Sequence, residues 1–312
     1  MILLTSIRTD PLWCAFTRKV NRAAQGRRPG AQHWTFSAGP VMQAGVTPTL
    51  TLAALGILQG LTEFLPVSSS GHLVILQALL PGFQEPGVLF HATVHLATLG
   101  AVLAYFRGDV AGLTRAALMP SRADPAAVRL LWLVAAGTVP TALIGFFLAE
   151  PLERLFASVP TAASMLLLTG ALLFATDRAG ERTGGIAGMG VTQALAIGFV
   201  QGAAIVPGIS RSGATVAAGV FCGLERGLAL RYSFLLSIPA IAGAFMLQLT
   251  THGFEGAAAV NLPGYGLAFL LAFAVGYASI GVLLKVLLSR KLTWFAFYCW
   301  ILGATVLVSC ST

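Results

Sequence analysis

The stretch LTEFLPVSSSGHLVILQALL, Leu61 to Leu80, places a short polar segment between two runs of apolar side chains. The polar segment holds Glu63, the serines Ser68 to Ser70, and His72. Pro66 interrupts any helix that continues through it, because proline lacks a backbone N–H and clashes with the preceding turn. In a membrane, irregular backbone is tolerated only where it is buried in protein or lines a cavity. The stretch therefore predicts two half-helices that meet at a functional break.

The composition places the whole chain in a membrane. Of its 312 residues 56% are hydrophobic and 10% are charged, whereas soluble domains carry about 25% charged residues. Apolar runs such as Leu130–Leu148, Leu228–Leu249 and Tyr265–Leu288 have roughly the 20 residues that a helix needs to cross a bilayer. They lack the alternating pattern of outer-membrane barrels. We predict an all-α integral membrane protein and expect no nucleic-acid partner.

A second polar segment matches the first. QGLTEFLPVSSSGH starts at Gln59 and QGAAIVPGISRSGA starts at Gln201, a spacing of 142 positions. The identical pairs are Gln59 and Gln201, Gly60 and Gly202, Ser68 and Ser210, Ser70 and Ser212, and Gly71 and Gly213. Each segment is followed by one short apolar stretch and three long ones. This pattern indicates an internal duplication in which each half is one structural unit.

The duplication gives a domain plan in which 42–312 is a single membrane domain. Repeat 1 covers about 48–176 and repeat 2 covers about 190–311. The predicted spans are about 88–106, 128–149 and 160–176 in the first half, and about 228–248, 264–288 and 293–311 in the second. Each half is thus a broken helical hairpin followed by three transmembrane helices.

The connections predict the orientation, because Lys and Arg concentrate on cytoplasmic loops. The basic connections are 107–129, 177–190, 225–231 and 285–293. The connections with one basic residue or none are 81–87, 149–159 and 249–263. These positions make both hairpins re-entrant, the first from outside and the second from the cytoplasm. With three spans per half the repeats are then inverted, an arrangement that brings broken helices together near the midplane.

Residues 1–41 form a basic extension with six Lys and Arg against one acid. The extension lacks the apolar core of a secretory signal, and its composition suits a transit peptide or a tail for anionic lipid. A positive tail also opposes an outward start of the first hairpin. We therefore expect this extension to be disordered or untranslated, with Met42 as the working start.

Two helix N-termini are expected to converge at the breaks. Pro207 and Gly208 interrupt the second hairpin before a helix that carries Arg211 in its first turn. Helix N-termini offer free N–H donors and a positive dipole, which bind phosphate, and a guanidinium adds further donors. We predict an anion site whose substrate-binding residues are Ser68, Ser70, Gly71, Ser210, Ser212, Gly213 and Thr215.

A buried acid beside an anion site needs a cation between the two. A divalent cation such as Mg²⁺ or Ca²⁺ takes carboxylate and phosphate oxygens together, so Glu63 becomes a predicted metal ligand. Gln59 lies one turn earlier and either orients Glu63 or ligates through its carbonyl oxygen. Ser69 is a candidate nucleophile and His72 a candidate general acid or base. The predicted catalytic residues are Glu63, Ser69, His72 and Arg211.

Structural interpretations of the same residues stay open. Glu63 and Arg211 can pair with each other as a staple of the fold, and the serines can act only as helix caps. His91 and His95 are four residues apart without a neighbouring Glu or Cys, so we interpret them as cavity-lining or packing residues. The four cysteines have no metal-ligand spacing and are interpreted as packing residues.

The segments QGLTEFLPVSSSGH and PGISRSGAT resemble the two signature segments of the bacterial undecaprenyl-diphosphate phosphatase family, of the bacitracin-resistance type. The resemblance covers essentially all of 42–312. It implies hydrolysis of the lipid carrier undecaprenyl diphosphate to the monophosphate at the outer face of the plasma membrane, which recycles the carrier for cell-wall synthesis. It also implies a divalent-cation requirement and bacitracin resistance.

The family motif can be placed on this chain residue by residue. Its acidic pair falls on Gln59 and Glu63, its serine on Ser69, its histidine on His72, and its arginine loop on Ser210, Arg211 and Thr215. Glutamine stands at the first acidic position, so one carboxylate of the motif is missing here. The resemblance therefore implies that Glu63 carries the metal almost alone.

Two other functions remain under consideration. A second lipid phosphatase family shares a segment like SSSGH, but it needs a further histidine after its arginine segment, and none follows Arg211 before His252. A lipid-phosphate flippase or anion transporter would use the same site, since inverted repeats with broken helices are typical of transporters. The expected partners are a polyprenyl diphosphate lipid and the bilayer of a bacterial plasma membrane, with a homodimer as a possible assembly and the site facing the periplasm or outside.

Overall fold

The architecture is taken from a computed structural model that describes residues 49–79, 88–148, 155, 158–180, 182–252 and 261–311. Among these residues it contains eleven α-helices and no strand. In chain order the helices are α1 (Thr49–Phe64), α2 (Ser69–Leu79), α3 (Val88–Tyr105), α4 (Arg107–Leu118), α5 (Pro125–Phe147), α6 (Val159–Arg178), α7 (Val191–Ala203), α8 (Arg211–Phe221), α9 (Arg226–His252), α10 (Leu262–Leu288) and α11 (Thr293–Ser311). The predictions for 1–41 and for the connection 81–87 fall outside the described residues.

Within the described part of the chain, five helices are long and apolar enough to cross a membrane, namely α5, α6, α9, α10 and α11. The bent pair of α3 and α4 raises the number to six if it counts as one span. These helices coincide with the six spans predicted from the sequence, with ends that differ by a few residues. The chain is therefore an all-α, multi-pass membrane protein, as predicted.

The segment 107–129 differs from the prediction of a plain basic connection. Most of it is helical, because α4 follows α3 directly and turns from it by 87°. Its sequence mixes Arg107, Asp109 and Arg115 with apolar side chains, a composition suited to the membrane interface and not to the bilayer core. The Asp124 side chain then accepts a hydrogen bond from Ala126 N at 2.9 Å and caps α5.

Both hairpins break at the proline and glycine positions where the sequence predicted the breaks. α1 ends at Phe64 before Pro66, since a residue that precedes proline is pushed out of the helical region, and Ser68 has a φ of 68°. α7 ends before Pro207, and Gly208 has a φ of 95°. A Cβ atom on Gly208 would lie 2.1 Å from Ala162 O, so the second break requires glycine for both conformation and space.

The first arm of each broken hairpin packs along the middle span of the other half, α1 on α10 and α7 on α5. Glycines four residues apart allow both close approaches, as in the small-xxx-small pairs of membrane helices. A Cβ atom on Gly56 would lie 2.5 Å from Ala268 O, and one on Gly198 would lie 1.9 Å from Gly137 O. Gly60 and Gly202 make the second contact of each pair.

This exchange of partners agrees with the duplication, because Gly56 and Gly198 are themselves separated by the repeat spacing of 142 positions. The third spans of the two halves, α6 and α11, also pack on each other, and Trp300 Nε1 donates to Leu167 O at 3.0 Å. The opposite orientation of the halves in the membrane stays a prediction.

Phe64 anchors the end of α1 at the centre of the molecule. Its side chain is fully buried, and its ring centroid lies 5.4 Å from that of Phe234 on α9. Gly276 on α10 leaves the space for this ring, since a Cβ atom there would lie 2.8 Å from Phe64 Cε2. The residue before Phe64 is Glu63, so the packing fixes the helix end that carries the acid.

Candidate active site

The two breaks touch each other, as predicted. A Cβ atom on Gly71 would lie 2.9 Å from Gly208 Cα, and one on Gly213 would lie 3.1 Å from Pro66 Cβ. Both contacts join a residue of the first break or its following helix to one of the second. The glycines at these positions therefore allow the N-termini of α2 and α8 to come together.

Glu63 lies at the centre of the contact, with only 4% of its side chain exposed. Its Oε2 atom accepts hydrogen bonds from Gln59 Nε2 at 2.9 Å and from Ser69 Oγ at 3.0 Å. Its Oε1 atom forms an ion pair with Arg211 Nη2. His95 Nε2 lies 3.9 Å from Oε2. The acid thus gathers groups from α1, α2, α3 and α8.

The ion pair joins the last turn of α1 to the first turn of α8, and hence the two halves. It is the pairing that a staple of the fold would make, and it also places both predicted catalytic charges at one point. The Arg211 side chain is 23% exposed, against 4% for Glu63. The guanidinium is therefore the part of the pair that remains open to a ligand.

The serines of the first break cap α2 as the sequence suggested. Ser68 Oγ accepts from Gly71 N at 3.2 Å and lies 3.3 Å from Ser70 Oγ. Such a cap satisfies one of the free N–H groups at the helix start. Ser69, between the two, points its hydroxyl at Glu63 instead. A substrate contact of Ser68, Ser70 or Gly71 stays a prediction.

The second break is capped in the same way. Ser210 Oγ accepts from Gly213 N at 3.1 Å and lies 3.2 Å from Ser212 Oγ, and both serines are buried. The Thr215 hydroxyl donates to Arg211 O at 2.7 Å, one turn back in α8. The predicted substrate contacts of these residues also remain predictions, and the observed bonds are internal to the protein.

A threonine from the first half holds the second break in place. Thr169 Oγ1 on α6 donates to Gly208 O at 2.9 Å and accepts from Ser210 N at 3.1 Å. The first break receives its support from the other half, because Cys299 Sγ on α11 donates to Pro66 O at 3.7 Å. The third span of each half therefore supports the break of the other half.

His72 has a defined tautomer. Its Nδ1 lies 2.7 Å from Ser68 O, and a carbonyl oxygen only accepts, so Nδ1 carries the proton. Nε2 of the neutral ring then accepts from Tyr298 Oη at 2.6 Å. The two rings are stacked with centroids 5.7 Å apart. The His72 side chain is thus held by Tyr298 on α11, a partner that the sequence did not reveal.

His95 is the other site neighbour that sequence reasoning missed. We interpreted His91 and His95 as cavity-lining or packing residues, since no Glu or Cys is near them in the chain. Folding brings α3 beside α1, and His95 faces Glu63. The available signal was the imidazole itself, in a helix that is otherwise almost wholly apolar. His91 does line a cavity, of about 20 Å³, with Gln59 and Ser69.

The donor set fits a divalent cation that is shared with a phosphate. Among the described residues no three His, Cys, Asp or Glu side chains are grouped to hold a metal by themselves. Mg²⁺ is usually held by one or two carboxylates together with substrate phosphates and water, without a cage made only of protein ligands. Glu63 supplies one carboxylate, and Gln59 and Ser69 lie within 3.0 Å of it.

A second cavity, of about 610 Å³, lies elsewhere, near the start of α5, and is lined by residues that include Arg129, Trp132 and Met189. It contains none of the predicted site residues. Arg129 donates to Ile186 O at 3.0 Å and to Met189 O at 2.8 Å, so its guanidinium is used in tying α5 to the chain before α7. We assign the chemistry to the convergence of charges at Glu63 and not to this larger space.

Comparisons with known proteins place the chain in a family. The sequence pattern of the bacitracin resistance protein BacA family matches residues 52–305. A protein of Desulfosudis oleivorans named undecaprenyl-diphosphatase is 44% identical over 264 residues, which cover 81% of this chain and 95% of the relative. A protein of the same name from Syntrophotalea carbinolica is 43% identical over 80% of this chain and 94% of its own length. Another from Desulfatibacillum aliphaticivorans is 42% identical over 83% of this chain and 98% of its own length.

Proposed function

The chain belongs to the bacitracin resistance protein BacA family, and we propose that it hydrolyses undecaprenyl diphosphate to undecaprenyl phosphate and inorganic phosphate. The names of its relatives support the substrate. The observation that carries the proposal is the meeting of Glu63, Ser69 and Arg211 at the contact of two helix N-termini. An acid, a hydroxyl and a guanidinium at such a point suit phosphoryl transfer, where positioning and charge stabilisation supply most of the catalysis.

The diphosphate is held by Arg211 and by the N-termini of α2 and α8. The small cavity beside Gln59 and Ser69, about 20 Å³, has room for about one water molecule. Arg211 is paired with Glu63, so it binds a diphosphate by exchanging this bond for bonds to phosphate oxygens. This exchange frees the Glu63 carboxylate at the moment when substrate is bound, and the partly exposed guanidinium is placed to make it.

Ser69 is the nucleophile of the covalent route. Its hydroxyl donates to Glu63 Oε2 at 3.0 Å, within the reach expected of a nucleophile and its base. Ser69 Oγ forms a bond to the terminal phosphorus, the anhydride bond to undecaprenyl phosphate breaks, and the serine proton passes to Glu63. Water then cleaves the phosphoserine. In the alternative route a water held near His72 attacks directly, and Ser69 only orients the acid.

Glu63 and Gln59 are the predicted holders of a divalent cation, Mg²⁺ or Ca²⁺. Such an ion, when bound, would polarise a phosphoryl oxygen and offset the negative charge that develops on it. Gln59 donates its amide N–H to Glu63 at 2.9 Å, so it orients the carboxylate. Arg211 holds the outer phosphate oxygens, while Ser69 keeps its hydroxyl directed at the acid.

We also propose that the protein lies in the bacterial plasma membrane with this site open to the outer face. The basic residues of α4 and of the connections before α7, α9 and α11 then face the cytoplasm. Release of the monophosphate carrier at the outer face supports peptidoglycan synthesis and lowers the amount of the diphosphate that bacitracin binds, which gives resistance.

Labelling of single cysteines tests this inverted topology. The cysteines are placed at Arg122 and at Asn261 in a background without native cysteines, and their accessibility to a membrane-impermeant thiol reagent is measured.

Phosphate release by the purified protein tests the function directly. Wild type with undecaprenyl diphosphate is compared with and without EDTA, beside Glu63→Ala and Arg211→Ala. The matched controls are Asp109→Ala and Arg231→Ala, which break the ion pair between α4 and α9. Metal-dependent release that is lost only in the first two variants supports the proposal. A well-folded wild type that releases no phosphate would contradict it and favour a lipid-phosphate flippase or anion transporter, to be measured by flux in liposomes.

A further inference from the structure

His95 faces Glu63 with Nε2, while its other ring nitrogen is held by the backbone. Its Nδ1 lies 2.9 Å from His91 O, and because a carbonyl oxygen only accepts, Nδ1 carries the ring proton. In the neutral ring Nε2 then bears a lone pair, and it lies 3.9 Å from Glu63 Oε2. In that state two electron-rich atoms face each other. A positive charge on or between them, from a metal ion or from a proton on Nε2, removes this opposition.

The surroundings of His95 are those of a metal ligand. A histidine that binds a metal usually donates its other ring N–H to a carboxylate or a backbone carbonyl, which fixes the ring. The bond from Nδ1 to His91 O does this within one turn of α3. The side chain is 39% exposed, so Nε2 is open to the site while the ring is held. His72 differs in this respect, since its Nε2 is bonded to Tyr298.

We propose that His95 is a protein ligand of the divalent cation together with Glu63, and that it takes the place of the carboxylate replaced by Gln59. This inference rests on the proposed metal-assisted phosphatase function and names a further residue of the same site. Gln59 directs its amide N–H, not its oxygen, to Glu63. It therefore acts on the carboxylate as an orienting residue, and His95 supplies the second donor to the ion.

Mn²⁺ alone is the probe for this inference, because its electron spin reports nitrogen atoms bonded to it. The full-length protein in detergent is titrated with Mn²⁺, and pulsed electron paramagnetic resonance measures ¹⁴N coupling in the bound fraction. We expect Mn²⁺ binding with coupling to one imidazole in wild type. His95→Gln should lose the coupling and weaken binding roughly tenfold or more, since even outer-shell partners have effects of this order.

Two further variants separate ligation from folding. His95→Asp restores a donor, so it should keep Mn²⁺ affinity within a few-fold of wild type while it loses the nitrogen coupling. His91→Gln is the matched control, a histidine one turn away whose ring centroid lies 6.4 Å from that of His95, and it should keep both affinity and coupling. Thermal unfolding without metal shows whether each variant is folded.

The inference is overturned if wild type binds no Mn²⁺, if bound Mn²⁺ shows no nitrogen coupling, or if the coupling persists in His95→Gln. Phosphate release from undecaprenyl diphosphate is measured on the same samples. Release without nitrogen coupling leaves the phosphatase proposal standing and removes His95 as a ligand. Nitrogen coupling that depends on His95, without release in any condition, removes the phosphatase proposal and keeps the metal ligand.

Discussion

The two breaks are built alike and carry opposite chemistry. Each has a serine that caps the following half-helix, Ser68 for α2 and Ser210 for α8. The repeat spacing that relates them places Ile205 opposite Glu63 and Arg211 opposite Ser69. The first break thus holds the acid Glu63 and the hydroxyl of Ser69, and the second holds the positively charged Arg211. The predicted duplication supplies two equivalent helix ends, and the divergence of a few side chains makes the predicted site asymmetric.

The two matched glutamines show the same divergence. Gln59 donates to Glu63 at the site, whereas Gln201 is fully buried and donates to Thr141 Oγ1 at 3.2 Å and to Leu236 O at 3.3 Å. One glutamine holds the predicted catalytic acid, and the other ties α7 to the spans around it. Identity at a repeat position therefore shows a shared backbone environment and not a shared role.

The largest effect on activity is expected from removing the negative charge of Glu63, which the second break lacks. Glu63→Gln keeps the shape of the side chain but loses the base for Ser69, and phosphate release should fall about 10³-fold, as when a charge-stabilising group is removed from an active site. Steady-state kinetics in detergent measure the change in kcat. Asp109→Asn, which alters the ion pair of α4 and α9, should stay close to wild type. Equal losses in both variants would count against a special role for the first break.

The second-largest loss of activity is expected from removing the Ser69 hydroxyl of the first break. Ser69→Ala removes the nucleophile of the covalent route, and turnover should fall by at least about 10²-fold. Mass spectrometry of acid-quenched wild type should find a phosphoserine at this position. Ser158→Ala is the matched serine control, because Ser158 also caps a helix, α6, where it accepts from Thr161 N at 3.2 Å. Full turnover of Ser69→Ala would exclude the covalent route and leave attack by water.

The close packing of α7 on α5 and of α1 on α10 should be sensitive to a single added methyl group. In Gly198→Ala the added Cβ atom would lie 1.9 Å from Gly137 O. The forced separation of α7 and α5 should cost about 1–3 kcal/mol of stability. Gly56→Ala in the first half should behave alike, with a smaller loss. Gly243→Ala is the control, since no atom lies within 4 Å of its added Cβ. Thermal unfolding in detergent compares the three, and an unchanged midpoint for Gly198→Ala would contradict the close crossing.

The smallest effect is expected from the partner of His72. Tyr298→Phe removes the hydroxyl that donates to Nε2 at 2.6 Å while it keeps the stacked ring, so kcat should fall less than about tenfold, with KM unchanged, because one neutral hydrogen bond contributes about 1 kcal/mol. Tyr277→Phe is the control, a half-exposed tyrosine whose ring packs on Tyr105. A rise in KM with constant kcat would assign Tyr298 to substrate binding instead of to the orientation of His72.

The spans and the breaks could be predicted from sequence because their causes are local. Pro66 and Gly208 interrupt helices by their own backbone chemistry, and apolar runs of sufficient length indicate membrane helices. The pairing of Glu63 with Arg211 followed from the repeat, since two breaks in one duplicated fold are expected to meet. The 87° turn between α3 and α4 was missed because basic residues indicated only where the chain lies, not that it stays helical there.

His95 and Tyr298 were beyond sequence reasoning for a different reason. His95 lies in the same half as Glu63 but on another helix, and Tyr298 lies in the opposite half from His72. No spacing rule connects position 95 to 63 or 298 to 72. The nearest neighbours of His95 in the chain are apolar, which favoured a packing interpretation. Such contacts depend on which faces of α3 and α11 turn inward, and that is decided by packing against the opposite half.

The crossed support of the two breaks has a consequence for how the protein is made. Pro66 is held by Cys299 on the last helix, and α1 is seated on α10, so the first half emerges from the ribosome long before its partners exist. The Glu63 carboxylate has no guanidinium beside it until α8 is made, and α1 and Pro66 lack their supports until α10 and α11 enter the membrane. The hydrolytic centre is therefore completed only at the end of biogenesis, and a truncated chain should be inert and open to quality-control proteolysis.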